Sequence, residues 1–266
     1  MSPAPPAADQ AAVVARLRAA GCVFAEEEAG LLLAGAQSAT ELEELVRRRV
    51  GGEPLEQLLG WAEFCGLRIA VAPGVFVPRR RSELLVEQAA ALAPSSAVVV
   101  DLCCGSGAVA AALTAVLDRP EVHASDVDPA AVACARRNLP QAQVHAGDLF
   151  DALPAALRGR VDVLVANVPY VPTAAIALMP PEARDHEPRV ALDGGDDGLR
   201  VAGRVVAGAG QWLAAGGSLL FEVGEAQVSA ATALVVDGGL VPRIVTDDET
   251  GATVVVGTSF RGRPGQ

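Results

Sequence analysis

The alternation of two kinds of apolar run between residues 97 and 223 constrains the fold most strongly. Short valine-rich runs alternate with longer alanine-rich runs. AVVVDL precedes AVAAALTAVL, VHASDV precedes AAVACARRNL, and VDVLVANV precedes a long loop, a helix and GGSLLFEV. Strands that alternate with helices of this length predict a parallel sheet covered on both faces. Two final runs, VPRIVTDD and ATVVVGTSF, flank an acidic turn and predict a closing antiparallel hairpin. We therefore expect an α/β fold with a mostly parallel sheet.

The rest of the chain divides around this unit. Apolar residues recur every three or four positions before residue 50, as in Leu42, Leu45 and Val46, which indicates helices. We expect disorder at 1–8, a small N-terminal helical domain at 9–60, a linker with a β-hairpin at 61–80, the α/β domain at 81–260, and a disordered tail at 261–266.

Charge and composition narrow the function classes. The formal net charge is -11 and every positive side chain is arginine, so the overall field repels a phosphate backbone and weighs against a nucleic-acid substrate. Arginine clusters at 47–49 and 79–81 are equally consistent with solvated charges and with a local binding patch. No run of about 18 apolar residues and no signal peptide is apparent, so we expect a cytoplasmic location. We also expect a monomer.

The five cysteines lack the spacing of a metal site or a disulfide framework. We therefore expect free buried thiols and no bound metal.

A glycine turn after the first strand of the α/β unit indicates a ligand site. Asp101 ends the valine run, and a loop that opens a helix follows, composed of Cys103, Cys104, Gly105, Ser106 and Gly107. Glycine lets a ligand approach the backbone, and the free N–H groups at a helix start favour a carboxylate.

Two further acids strengthen the prediction. Asp126 ends the next strand, where doubly wound folds present a carboxylate to ribose hydroxyls. Asp148 and Leu149 follow the third strand and offer a carboxylate and an apolar contact beside a base. Asp126 and Asp148 could instead only cap helices, the role that we assign to Asp128. The loop lacks the first glycine of a dinucleotide fingerprint, so a sulfonium cofactor fits better than a nicotinamide.

The turn after the fourth strand, Asn167-Val168-Pro169-Tyr170, suggests the chemistry. An amide or aromatic amino nitrogen is a poor nucleophile because its lone pair is delocalised. Two acceptors, the Asn167 side-chain oxygen and the Val168 carbonyl, can fix such an NH2 group and raise electron density on nitrogen. Val168 precedes a proline and is biased to an extended conformation, and Tyr170 can pack against a planar group. An ordinary strand-ending turn is the alternative.

At this point the chain resembles the HemK/PrmC-type protein glutamine-N5 methyltransferases over nearly its whole length. The shared motifs include Gly52-Glu53-Pro54, Val77-Pro78-Arg79 with Ser82-Glu83, Asp101-Leu102 with Gly105-Ser106-Gly107, Asp126, Gly147-Asp148-Leu149-Phe150, Asn167-Val168-Pro169-Tyr170, Glu187-Pro188, and Glu222-Val223-Gly224 with Gln227.

The resemblance implies a class I, Rossmann-like S-adenosylmethionine-dependent methyltransferase behind a helical domain that docks a protein substrate. It implies that the cofactor is lined by residues of the glycine loop and by the acids: Asp101, Cys103, Cys104, Gly105, Ser106, Gly107, Asp126, Asp148, Leu149 and Asn167. Asn167 and the Val168 carbonyl, with Pro169 and Tyr170, would hold the glutamine amide. In this family the substrate is typically the glutamine of a Gly-Gly-Gln loop in a peptide chain release factor.

Three departures and three alternatives remain. Val168 replaces the first proline of the usual turn, Cys103 replaces the usual first glycine of the loop, and Ala252-Thr253 follows Gly251 where an arginine is usual. The chain could instead methylate a ribosomal-protein glutamine, or the exocyclic amino group of adenine (N6) or guanine (N2) in nucleic acid. It could also bind the cofactor without catalysis.

Overall fold

A computed structural model describes residues 7–260. The predicted disordered tail, 261–266, and residues 1–6 of the predicted N-terminal disorder lie outside the described residues. Ala7 and Ala8, which we placed in that disordered segment, instead belong to the first helix, consistent with the high helix propensity of alanine. The helices are α1 (Ala7–Ala19), α2 (Ala25–Gly35), α3 (Ala39–Val50), α4 (Leu55–Leu59), α5 (Glu83–Leu92), α6 (Ala108–Val116), α7 (Pro129–Asn138), α8 (Pro181–His186), α9 (Arg200–Ala209) and α10 (Val228–Asp237).

A seven-stranded sheet forms the centre of the α/β unit. The strands of the protein are β1 (Trp61–Phe64), β2 (Leu67–Ala70), β3 (Val98–Leu102), β4 (Glu121–Asp126), β5 (Gln143–Ala146), β6 (Val161–Ala166), β7 (Leu213–Glu222), β8 (Val241–Asp247) and β9 (Ala252–Thr258). The large sheet has the order β5-β4-β3-β6-β7-β9-β8, and β3 to β7 are parallel. β9 runs antiparallel to both neighbours. The predicted α/β fold with a closing antiparallel hairpin is confirmed.

Helices cover both faces of this sheet and create two apolar layers. Successive side chains of a strand point to opposite faces, so Val98, Val100 and Leu102 of β3 pack in the layer that contains α9 and α10. Val99 packs in the other layer, with residues of α5, α6 and α7. The all-apolar valine run is explained by this two-sided burial.

The N-terminal helices α1 to α4 have a small apolar cluster of their own. α3 begins after Ser38, whose side chain accepts a hydrogen bond from the Glu41 N–H. α4 lies inside the predicted helical domain at 9–60, although the apolar periodicity that supports this prediction ends near residue 50. The β1–β2 hairpin follows and pairs from Trp61 with Ala70 to Phe64 with Leu67.

Two global expectations can be compared with the described chain. Within residues 7–260, no helix combines the length and the apolar character needed to span a membrane. The five cysteines are free, but burial is less complete than we expected: Cys104 and Cys134 are buried, and Cys22, Cys65 and Cys103 are partly exposed.

Candidate active site

A cavity of about 810 Å³ opens at the carboxyl ends of the central strands. The strand order reverses beside β3, whose neighbours are β4 and β6, and such a switch point leaves a crevice between the loops that follow the strands. The register places Leu102 beside Ser125 of β4 and Ala166 of β6. The loops after β3, β4 and β6 therefore meet at this crevice, and its volume is within the range of small-molecule sites.

The glycine loop after β3 forms one wall of this cavity. Cys103, Cys104, Gly105 and Ser106 line it. The Cys104 N–H donates to the Ser125 carbonyl, which attaches the loop to β4. Cys103 adopts a left-handed conformation with φ +56°, and its side chain packs against the apolar layer on the α9 face. The departure from glycine is thus accommodated by packing, at the cost of an unfavourable backbone conformation.

Gly107 has a different role from its neighbours in the loop. The cavity wall does not include Gly107, which the sequence analysis grouped with the cofactor residues. Its φ is +78°, and a Cβ there would lie 2.8 Å from Leu139 Cδ1 and 3.2 Å from Ala135 Cβ. The structure therefore places Gly107 at the contact between α6 and α7, where it permits close packing.

Asp101 is a buried carboxylate on the cavity wall. It is 1% exposed, and Oδ2 accepts a hydrogen bond from the Ala110 N–H of α6 at 3.1 Å. Within residues 7–260, Oδ1 has no hydrogen-bond partner. Burial raises the pKa of Asp101 to about 7. An orphaned acceptor at this position fits a cationic donor, such as an ammonium group, in the cavity.

Asp126 joins the glycine loop to the end of β4. Oδ2 accepts from the Gly105 N–H and Oδ1 from the Asp128 N–H, both at 2.9 Å. Asp126 is half-buried, lines the cavity, and has a pKa raised by burial. Asp128 caps α7 by accepting from the Ala130 N–H at 2.8 Å, as predicted. Asp126 is therefore not the cap of α7, and its carboxylate is held at the cavity wall by two backbone donors.

Asp148 and Leu149 line the same cavity after β5. Both Asp148 oxygens accept from Arg204 of α9, at 2.7 and 3.1 Å. Leu149 is buried with φ +49°. The structure thus brings the three acids to one edge of the sheet, but Asp148 is engaged by an arginine that the sequence analysis did not identify.

The turn after β6 forms the wall next to the glycine loop. Asn167, Val168, Pro169 and Tyr170 all line the cavity. Asn167 is half-buried, and its Nδ2 donates to Ser82 Oγ at 3.3 Å. Within residues 7–260, no donor is paired with the Val168 carbonyl. The Asn167 oxygen and the Val168 carbonyl therefore remain available as acceptors.

A second layer of contacts fixes the far end of this turn. Gln227 Nε2 donates to the carbonyls of Tyr170, at 2.9 Å, and Asp197, at 2.8 Å. Gly198 has φ +76°, and a Cβ there would lie 2.2 Å from both the Tyr170 carbonyl oxygen and Gln227 Nε2. Only glycine allows the 194–198 loop to approach the turn this closely.

A buried carboxylate behind the turn was missed as a site residue by the sequence analysis. Glu222 ends β7 and is 1% exposed. It accepts from Ser82 Oγ at 2.7 Å and from the Tyr170 hydroxyl at 3.0 Å, and it forms an ion pair with Arg81 at 2.6 Å. Burial, reinforced by the Glu222 charge, raises the pKa of Tyr170. A glutamate directly after the apolar run SLLF was the available signal.

Both arginine clusters are engaged by carboxylates. Arg47 pairs with Glu44, Arg48 with Glu53, Arg49 with Glu28, Arg79 with Glu187, and Arg81 with Glu222, each at 2.6 Å. Arg80 lies 3.9 Å from Glu249 and is exposed. The sequence left open solvated charges and a local binding patch; the observed pairing with carboxylates argues against a patch that attracts phosphates.

Comparison with known proteins identifies related chains. The family model "Methyltransferase small domain" matches residues 66–179. A release factor glutamine methyltransferase of Geobacter sulfurreducens is 39% identical over 80% of this chain and 75% of its own length. A protein of the same name from Streptomyces coelicolor is 37% identical over 83% and 77%. A 4-amino-L-phenylalanine/4-methylamino-L-phenylalanine methyltransferase of Streptomyces pristinaespiralis is also 37% identical, over 71% and 67%.

Solved structures agree on the fold. A methyltransferase from Pyrococcus furiosus superposes with a TM-score of 0.56 at 16% identity, over 73% of this chain and 90% of that protein. A ribosomal protein L11 methylase from Lactobacillus delbrueckii gives a TM-score of 0.53 at 14% identity, over 72% and 85%. These superpositions establish a shared class I methyltransferase fold, and at such low identities they establish nothing about the substrate.

Proposed function

Because this chain belongs to the family of release factor glutamine methyltransferases, we propose that it methylates the side-chain amide nitrogen of a glutamine in a peptide chain release factor. The enzyme is an S-adenosylmethionine-dependent methyltransferase. The acceptor in this proposal is the glutamine of the Gly-Gly-Gln loop, the substrate that the family resemblance implies.

The position of Asn167 is the observation that supports this function best. It lines the same cavity as Gly105 and Asp126, and its amide nitrogen donates to Ser82. The side-chain oxygen is then left to accept a hydrogen bond from an NH2 group. A second acceptor, the Val168 carbonyl, lies in the same turn.

These two acceptors address the weak nucleophilicity of an amide. Hydrogen bonds from both N–H groups to fixed oxygens hold the nitrogen in one orientation and increase its electron density. Tyr170 is half-buried, lines the same cavity, and provides an aromatic surface for a planar group. A glutamine side chain satisfies all three features.

The residues of the glycine-loop wall fit the cofactor. The orphaned Asp101 oxygen is suited to the ammonium group, Asp126 to ribose hydroxyls, and the start of α6 to the carboxylate. Leu149 offers an apolar contact for the base. The carboxylate of Asp148 already accepts hydrogen bonds from Arg204. When bound, the sulfonium supplies an electrophilic methyl group.

The alternatives receive less support. Nucleic-acid amino methylation would need a surface for phosphates, but the arginine clusters are paired with carboxylates and the net charge is -11. The relative that acts on 4-amino-L-phenylalanine indicates that an arylamine can be the acceptor in a related protein. No described feature of this cavity favours that substrate over glutamine.

Radiolabelled cofactor tests the proposal directly. Purified enzyme should label a release factor, and a Gln→Ala change in the Gly-Gly-Gln loop of that factor should abolish the label. Labelling of tRNA, rRNA or DNA in place of the release factor would overturn the proposal. Action on a translation factor would place the enzyme in the cytoplasm, and we propose that it acts there as a monomer.

A further inference from the structure

A chain of hydrogen bonds connects the turn after β6 to the interior of the protein. Asn167 Nδ2 donates to Ser82 Oγ at 3.3 Å, and Ser82 Oγ donates to Glu222 Oε2 at 2.7 Å. Ser82 is 2% exposed and Glu222 is 1% exposed, so water does not compete for these bonds. The three residues come from the segment before α5, from β7 and from the turn after β6.

The chemistry of the three groups gives this chain a direction. A carboxylate can only accept, so the single hydroxyl proton of Ser82 is directed at Glu222. Ser82 Oγ then offers only lone pairs to Asn167. An asparagine amide has a donor end and an acceptor end, and its donor end must face Ser82. Its acceptor end is thereby directed away from Ser82.

We propose that Ser82 and Glu222 are positioning residues that fix the orientation of the Asn167 amide, so that the site accepts an NH2 group and discriminates against a carboxylate. The inference rests on the proposed function. It assigns to these two residues the preference for glutamine over glutamate, since a glutamate side chain would present an acceptor to the Asn167 oxygen.

The second oxygen of Glu222 supports its position. Oε1 accepts from the Tyr170 hydroxyl at 3.0 Å and lies 2.6 Å from Arg81 Nε. The guanidinium compensates the buried negative charge, and Tyr170 attaches the carboxylate to the other end of the same turn. These contacts hold Glu222 but do not determine which end of the Asn167 amide faces Ser82.

The composition of the chain provides a direct test. Asn138 and Asn167 are the two asparagines of the sequence, so selective ¹⁵N labelling of asparagine side chains yields two amide groups in an NMR spectrum. Asn138 donates to the carbonyls of Ala70 and Ser106, at 2.9 and 2.8 Å, and reports on folding. The Asn167 signals are assigned by their loss in Asn167→Ala.

We expect Ser82→Ala and Glu222→Gln to shift the Asn167 signals and accelerate their hydrogen exchange, and Ser82→Thr to preserve them. Tyr170→Phe, which leaves the Ser82–Glu222 bond in place, should also preserve them. The Asn138 signals should stay unchanged throughout. If Glu222→Gln does not fold, Ser82→Ala with its Ser82→Thr control decides. Unchanged Asn167 signals in Ser82→Ala would overturn the inference.

Specificity provides the second readout. The preference is measured as the ratio of Kd values for release factors carrying Gln or Glu in the loop. In wild type we expect a preference for Gln of about tenfold or more, and in Ser82→Ala and Glu222→Gln a clearly lower ratio that stays above one, because the Val168 carbonyl still discriminates against a carboxylate. The kcat of Ser82→Ala should fall by about tenfold to a hundredfold with little change in KM, because docking of the protein substrate is retained.

The two proposals can fail separately. If wild-type enzyme does not methylate the release factor, the proposed function fails, and the NMR experiment still tests the hydrogen-bond chain. If wild type methylates it and both variants keep the wild-type Gln/Glu ratio, only the positioning role fails.

Discussion

Replacing Gly198 by alanine should damage both stability and transfer, and Gly74 provides a matched control. The two glycines have nearly the same backbone conformation, with φ +76° and +74°, but different surroundings. A Cβ on Gly74 would meet nothing within 4 Å, whereas one on Gly198 would lie 2.2 Å from the Tyr170 carbonyl oxygen. The difference between the variants therefore isolates the close approach of Gly198 to the turn after β6.

The expected magnitudes follow from these contacts. A left-handed conformation costs a non-glycine residue about 1–2 kcal/mol, which is the whole effect expected for Gly74→Ala. In Gly198→Ala the Tyr170 carbonyl must also move by roughly 1 Å to reach van der Waals distance. That shift breaks the Gln227 bonds to Tyr170 and Asp197, each worth about 0.5–1.5 kcal/mol. The total destabilisation for Gly198→Ala is then about 2–5 kcal/mol.

Thermal unfolding and single-turnover methylation check this reasoning. At about 2–4 °C per kcal/mol for a chain of this size, Gly198→Ala should melt about 4–20 °C lower than wild type, and Gly74→Ala about 2–8 °C lower. At a temperature below its melting temperature, Gly198→Ala should transfer the methyl group about a hundredfold more slowly than wild type, since a misplacement of about 1 Å has that effect. Gly74→Ala should transfer normally. A Gly198→Ala variant that melts with Gly74→Ala and transfers at the wild-type rate would refute the argument.

Three further predictions concern buried or half-buried charges. Asp126→Asn should raise the Kd for S-adenosylmethionine by about tenfold to a hundredfold, because charged hydrogen bonds are lost. Calorimetry measures this Kd, and an unchanged value would contradict the assignment of Asp126 to the ribose hydroxyls. Burial raises the pKa of Asp101 from 3.8 to about 7. Between these two pH values the folded protein keeps a proton on Asp101 that the unfolded chain has lost. The contribution of Asp101 to the free energy of unfolding therefore falls as the pH rises from 3.8 to about 7. The free energy of unfolding of Asp101→Asn relative to wild type should therefore rise by about 1.4 kcal/mol per pH unit between pH 4 and 7, measured by urea titration; a constant difference would exclude the shift. Arg49→Met should destabilise the protein by about 3–5 kcal/mol because it leaves Glu28 buried without its partner. Arg47→Met removes an exposed ion pair and should cost below about 1 kcal/mol. Equal effects of the two variants in urea unfolding would contradict this prediction.

Periodicity made most of the fold predictable. The valine runs correctly predicted β3 and β6, because strands that are buried on both faces of a sheet are apolar throughout. β6 ends at Ala166, so the turn begins at Asn167, where the prediction placed it. α4 lies within the predicted helical domain, but periodicity did not indicate it as a separate helix, because one helical turn between glycines has no measurable period.

The sequence predicted the site residues that lie at strand ends, but not those that reach the site only through tertiary contacts. Asp101, Asp126 and Asn167 could be assigned to one cavity because each lies at or directly after the carboxyl end of a strand of one parallel sheet. Glu222 reaches the Asn167 turn only through the pairing of β7 with β6 and through Ser82, which is 140 positions away in the chain. The local sequence can mark Glu222 as a glutamate at the end of an apolar strand, but it contains no signal for the contact with Ser82.

The role of Asn167 can be measured most directly by single-turnover transfer to a release factor, followed by mass-spectrometric detection of N5-methylglutamine, with the Kd for S-adenosylmethionine determined on the same samples. The account predicts that Asn167→Ala loses transfer by at least about a hundredfold and keeps cofactor affinity within about threefold of wild type. Normal formation of N5-methylglutamine by Asn167→Ala would contradict the claim that this side chain holds the acceptor amide.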